Sequence, residues 1–167
     1  MNLTGGDLHA HASQRVSDGP LAWCLGCSTA WIAAGGVAAA VNSTAAFQHG
    51  SWLVAYLVLV GGISQLALGA GLLFLRALPS PARGAYARLG LWNLGTVLVP
   101  AGVLLDLPGV ISAGSLSLLA ALVLFCSGAL HAQARARALA YYLFAAALAV
   151  SVLVGCALSD ALPARWL

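Results

Sequence analysis

The chain has 167 residues, of which 62% are hydrophobic and only 7% charged. A soluble domain carries about 25% charged residues, so this composition excludes an ordinary water-soluble enzyme and points to lipid as the main solvent. The formal charge of +3 is too small to build a nucleic-acid-binding surface, and no nucleic-acid partner is expected.

Every basic residue is an arginine, Lys and Glu are absent, and four Asp make up the acidic set. With Ala, Leu and Gly dominant, this is the composition of GC-rich bacterial coding. It assigns the chain to a plasma (inner) membrane. No polar stretch is long enough for a separate soluble domain, so a single all-α bundle of transmembrane helices is expected.

Residues 1–20 are polar and carry His9, His11 and Arg15. They show no hydrophobic periodicity and read as a mobile cytoplasmic tail, with Pro20 in the first turn of the helix that follows. The first span is 21–41. Its small residues Gly26, Ala30, Ala34 and Ala38 recur every four positions, which puts them on one helix face where another backbone can come close. A rival reading makes 21–37 the core of a signal peptide cleaved near Ala38-Ala39-Ala40, leaving four spans. The long polar lead and the length of the apolar run argue against it.

Trp52–Leu75 is the strongest span, WLVAYLVLVGGISQLALGAGLLFL, without a charge. As a helix it is roughly 36 Å long, enough to cross a bilayer core with some tilt. Trp52 and Tyr56 open it, as aromatic residues do at the headgroup level. The loop Arg76–Arg88 holds three arginines and no acid.

The third span, 89–107, contains Pro100, which should bend the helix and free the carbonyl of Thr96. Asp106-Leu107-Pro108-Gly109 is a turn signal. The fourth span is 110–130. The loop after it carries Arg135 and Arg137. The fifth span is 139–158, entered through Tyr141 and Tyr142, with a second small-residue ladder at Ala147, Ser151, Gly155 and Ser159. Residues 159–167 form a short tail. The two ladders either pack on each other and close the bundle, or one faces outward and docks another subunit.

Five spans place alternate loops on opposite sides. Arg15, Arg76, Arg83, Arg88, Arg135 and Arg137 fall together, and Arg165 alone falls opposite with Asp106 and Asp160. That bias puts the N-terminus in the cytoplasm and the C-terminus outside. The loop arginines Arg76, Arg83, Arg88, Arg135 and Arg137 set this topology and sit where anionic lipid headgroups can bind.

Intramembrane polar groups are the first candidates for function. Gln65 lies in the second span between Gly61 and Gly69, and Asn93 and Thr96 lie in the inner half of the third. Gln65 is roughly 15 Å and Thr96 roughly 10 Å from the shared inner end, counted at the helical rise. A Gln side chain spans that difference, so an interhelical hydrogen bond is expected, worth about 0.6 kcal/mol. The alternative is a polar site for a transported solute.

Cys24-Leu25-Gly26-Cys27 is a CxxC at the inner end of the first span, with Cys126 and His131 at the same level on the fourth. With His9 and His11 in the tail on that side they make six soft or borderline ligands at one membrane face, a constellation for a metal or thiol site in which these four are the candidates within or next to the spans. The set lacks a second CxxC, and small residues such as Cys are ordinary filler in tight helix packing. His49 and His131 lie at opposite membrane faces and cannot share a haem. No cofactor is called for, no HExxH, GxSxG or P-loop motif is present, and no catalytic residue is assigned. The expected protein is an accessory or scaffold subunit, or a homo-oligomer, partnered by the bilayer and by other membrane subunits or itself. The alternatives are an oligomeric transporter or channel, and a membrane redox or metal protein.

Overall fold

A computed structural model describes residues 5–45, 49–75, 82–130 and 135–161, without the side chains of 5–18, 73, 82 and 158–161. All the described elements are helices: α1 (Gly5–Thr44), α2 (Gly50–Tyr56), a π-helical segment (Leu57–Ser64), α3 (Gln65–Phe74), α4 (Ala82–Leu104), α5 (Pro108–Ala129) and α6 (Arg135–Ala161). Five stretches are long and apolar enough to cross a membrane: Gly19–Thr44, Gly50–Leu72, Arg83–Leu104, Pro108–Ala129 and Arg135–Ala157. The protein is an all-α bundle of five spans, with α2, the π segment and α3 forming the second.

The N-terminal segment differs from the expectation of an unstructured tail. Helix α1 begins at Gly5, so Pro20 lies inside it instead of in its first turn. Extending a helix whose nucleus already exists fixes few dihedrals per bond gained, so a polar segment can wind on without a hydrophobic face. Gly19 makes the proline tolerable, because it has no Cβ to meet the pyrrolidine ring. The side chains of His9, His11 and Arg15 lie outside the described residues.

The π segment interrupts the second span where Gly61-Gly62 sits. Its return to α-helix is marked by the Gln65 N–H, which bonds the Gly62 carbonyl three residues back. Such wide turns leave carbonyls poorly matched within their own helix. Side chains from other spans donate to carbonyls within this segment and in the first turn of α3 after it. The Trp92 indole donates to the Val60 carbonyl at 3.2 Å, the Cys24 thiol to the Gln65 carbonyl at 3.6 Å, and the Tyr141 hydroxyl to the Leu68 carbonyl at 3.2 Å. Three different helices are thus pinned to the backbone of the second span.

The tightest packing joins α4 and α5. A Cβ on Gly95 would stand 2.7 Å from the Gly114 carbonyl oxygen, and one on Gly114 2.8 Å from the Val99 nitrogen. The two backbones touch because neither glycine has a side chain. The hairpin between them is closed by Asp106, which has φ 53°. The Leu107 N–H reaches the Gly102 carbonyl at 2.8 Å and the Asp106 N–H the Val103 carbonyl at 3.4 Å. This is a Schellman cap with aspartate where glycine is usual. Pro108 starts α5 directly, two residues before the span boundary read from hydropathy, since its fixed φ suits a first helical residue.

The core lies where α3, α4, α5 and α6 meet. Leu68, Trp92, Leu118, Ala121 and Phe125 are each at most 1% exposed, and the rings of Trp92 and Phe125 meet edge to face at 6.2 Å. Helix α1 packs on the second span and α4, whereas α6 packs on α5 and α3. These two are the outer helices. Their small-residue ladders do not close on each other: Gly26 and Ala30 are exposed on α1, as are Ala147, Ser151 and Gly155 on α6. Ser159 lies outside the described side chains.

Candidate functional site: a buried polar core at the π segment

The buried face of the first span is Cys24, Ser28 and Gly35, offset from the ladder that sequence periodicity singles out. This face lies on the second span. A Cβ on Gly69 would run into the Cys24 thiol, and one on Gly61 would come within 2.8 Å of the Trp31 ring and 3.0 Å of the Thr96 methyl. Gly61 and Gly69, the two glycines that flank Gln65 on its helix face, thus sit against side chains of α1 and α4. They let α1 and α4 close over the stretch that carries Gln65.

Gln65, Asn93 and Thr96 are brought to one region but not to one hydrogen bond. Gln65 and Thr96 are 0% exposed. The Thr96 hydroxyl donates to the Trp92 carbonyl in its own helix at 2.9 Å. Asn93 accepts from the Trp31 indole N–H at 2.6 Å and donates to the Leu89 carbonyl at 2.7 Å. Neither of them bonds Gln65, whose amide nitrogen and oxygen are both buried without a partner. The expected Gln65–Thr96 bond is absent, and the Thr96 proton goes instead to the i−4 carbonyl of its own helix. The Ser28 hydroxyl is also buried and unpartnered. An unsatisfied buried group costs about 1–3 kcal/mol, so two such residues in one core are a feature to explain.

The cysteine candidates separate. Cys24 faces the second span, Cys27 is half-buried on the same helix, and Cys126 lies on α5, where its carbonyl accepts from the Tyr142 hydroxyl at 3.3 Å. Among the described residues no three His, Cys, Asp or Glu side chains come together to hold a metal ion. His131 lies outside the described residues.

The arginines take different places. Arg83, Arg135 and Arg137 are exposed, and Arg137 donates to the Phe74 carbonyl at 3.5 Å. Arg88 is instead 5% exposed, with its guanidinium carbon 5.8 Å from the centre of the Phe125 ring. Its Nη1 is buried without a hydrogen-bond partner. An aromatic face can offset part of the cost of burying that cation. Arg76 lies outside the described residues. Tyr141 and Tyr142, through which the fifth span is entered, lock α6 onto α3 and α5 through their hydroxyls. Sequence reasoning missed this role, and also that of Trp92, because an aromatic residue near a span end reads first as an interface anchor.

No family model, no curated protein and no solved structure matches the chain.

Proposed function

We propose that this multi-pass membrane protein acts by helix packing, as an accessory or scaffold subunit or as a homo-oligomer in a bacterial inner membrane. The observation that carries this reading is the uneven burial of its spans. The apolar window of α5 is 44% buried, against 17% for the first span and 11% for the fifth. The two outer helices turn most of their surface away from the fold. Both expose runs of small residues, Gly26 and Ala30 on one and Ala147, Ser151 and Gly155 on the other. Such runs let a foreign helix approach to backbone distance, where dispersion holds helices together in lipid. The partners are other membrane subunits or a second copy, with the arginine-rich loops and the N-terminus in the cytoplasm.

A photoreactive amino acid placed at Ala147 or Ala30 in native membranes tests this. A cross-linked product of fixed mass is the expected result, twice the chain mass for a homo-oligomer or larger by one constant partner. No discrete product from either position overturns the reading.

Gln65 supports a second reading, passage of a small polar solute through an assembly of these chains. Its unpartnered amide is the kind of group that a solute in transit would bond. Loss of flux in Gln65→Leu with assembly intact supports it, and unchanged flux removes it.

A further inference from the structure

At the end of the bundle remote from Arg83, Arg135 and Arg137, the second span, α4, α5 and α6 surround a half-open cavity of about 330 Å³. Small-molecule sites start at about 300 Å³. The walls are mostly apolar, with Val60, Val99, Val103 and Leu118 among them. Among the described residues that line it none is an arginine or aspartate, and its ionisable side chains are His49, Tyr56 and Cys156, so no permanently charged side chain stands ready to hold an ionic headgroup.

Three features of the wall define a ligand. Trp52 and Tyr56 line one side, with their rings stacked at 5.2 Å and 27°. A paired aromatic surface of this kind suits a flat ring. On α5, Ser115 lines the cavity, is 5% exposed, and its hydroxyl makes no hydrogen bond among the described residues. Tyr56 adds a second hydroxyl, buried and without a partner. Two unpartnered donors on facing spans border one apolar space, and the natural complement is an uncharged oxygen acceptor. On α6 the cavity is bordered by Ser151 and Gly155, and Gly155 has open space where a side chain would go. That gap leaves room for an apolar tail to run out into lipid.

We propose that this cavity binds a neutral, flat-ringed amphiphile that carries a carbonyl oxygen and an apolar tail, the chemistry of a membrane quinone. The ring lies against the Trp52–Tyr56 pair. Its carbonyl accepts from Ser115, and from Tyr56 once rotation about the Tyr56 Cα–Cβ bond brings that buried hydroxyl to the cavity. The proposal concerns binding alone; it shares Ser151 and Gly155 with the packing reading, but its readout, ligand affinity of the single chain in nanodiscs, is distinct from the cross-link that tests that reading.

The test uses the purified full chain in lipid nanodiscs of phosphatidylethanolamine and phosphatidylglycerol, titrated with a benzoquinone bearing a ten-carbon tail. One saturable site per chain is expected. Ser115→Ala and Tyr56→Phe should each weaken it by about fivefold, the worth of one net hydrogen bond. Gly155→Leu adds bulk where there is open space, so it should block the site without disturbing the fold. Gly90→Leu, on an exposed and equally open position of α4, should bind like the parent and serves as control. Uptake that never saturates, or that is the same in all four variants, overturns the proposal. So does binding of a tailed cyclohexane without oxygen as tight as that of the quinone, which would mean that the cavity merely takes up acyl chains.

Discussion

The Trp31 indole on α1 donates to the side-chain oxygen of Asn93 on α4 at 2.6 Å, tying the first span to the third across the second. It is the shortest side-chain bond between spans among those described. Asn93→Leu should therefore loosen α1 specifically. A double-mutant cycle of Trp31→Phe and Asn93→Leu, read by unfolding in detergent, should give a coupling of about 0.6 kcal/mol and no more than about 1.7 kcal/mol. Additive effects of the two changes would mean that the bond does not form in the membrane.

Gln65 makes the opposite prediction. Its amide has no partner to lose, and burying it unsatisfied costs about 1–3 kcal/mol. Gln65→Met keeps the volume and removes the polar atoms, so thermal stability in detergent should stay level or rise. A marked fall would show that a water, a solute or another subunit satisfies the amide in the native protein.

The α4–α5 contact is sensitive to single methyl groups. Gly114→Ala sets a Cβ against the Val99 backbone nitrogen, and backbone cannot rotate away as a side chain can. A loss of about 1–3 kcal/mol is expected, the usual cost of overpacking. Gly26→Ala, where the structure has open space, should leave the stability of the isolated chain unchanged. Comparing melting temperatures of the two variants checks the local geometry without needing an activity.

The hairpin cap at Asp106 carries a testable strain. A non-glycine residue at φ 53° is disfavoured by roughly 1–2 kcal/mol. Asp106→Gly should relieve it and raise thermal stability. A decrease would indicate that the carboxylate makes a bond that outweighs the strain.

Orientation is open to chemical labelling. A thiol-reactive reagent that cannot cross the membrane, applied outside, should modify Thr44→Cys beyond the parent level and spare Ala82→Cys. The reverse pattern would invert the topology.

Hydropathy alone carries the span count, because no polar backbone can stay in lipid without a helix. The spans read from sequence agree with the helices to within a few residues at most ends. What escaped was set by contacts that periodicity cannot see. Asp106 in a left-handed conformation does not announce itself as glycine would. In the π segment Gly61 and Gly62 meet Trp31 and Ile32 on α1, a contact that a reading of the second span by itself omits. The ladder at Gly26 and Ala30 was visible, but its facing was not, since small residues mark close approach without saying to which helix. In the polar core the residues were legible and the pairing was not. Thr96 and Asn93 found nearer acceptors, and Gln65 was left without one.

The packing account rests on the outward faces of α1 and α6, and the native mass of the protein extracted in a mild detergent tests it most directly. The parent chain should appear in one defined assembly, with itself or with a partner at fixed stoichiometry. Ala147→Trp, which adds bulk to an exposed position and not to the core, should dissociate that assembly to the single chain while leaving its fold intact. A parent that runs as a single chain, or an assembly indifferent to Ala147→Trp and to Ala30→Trp, would contradict it.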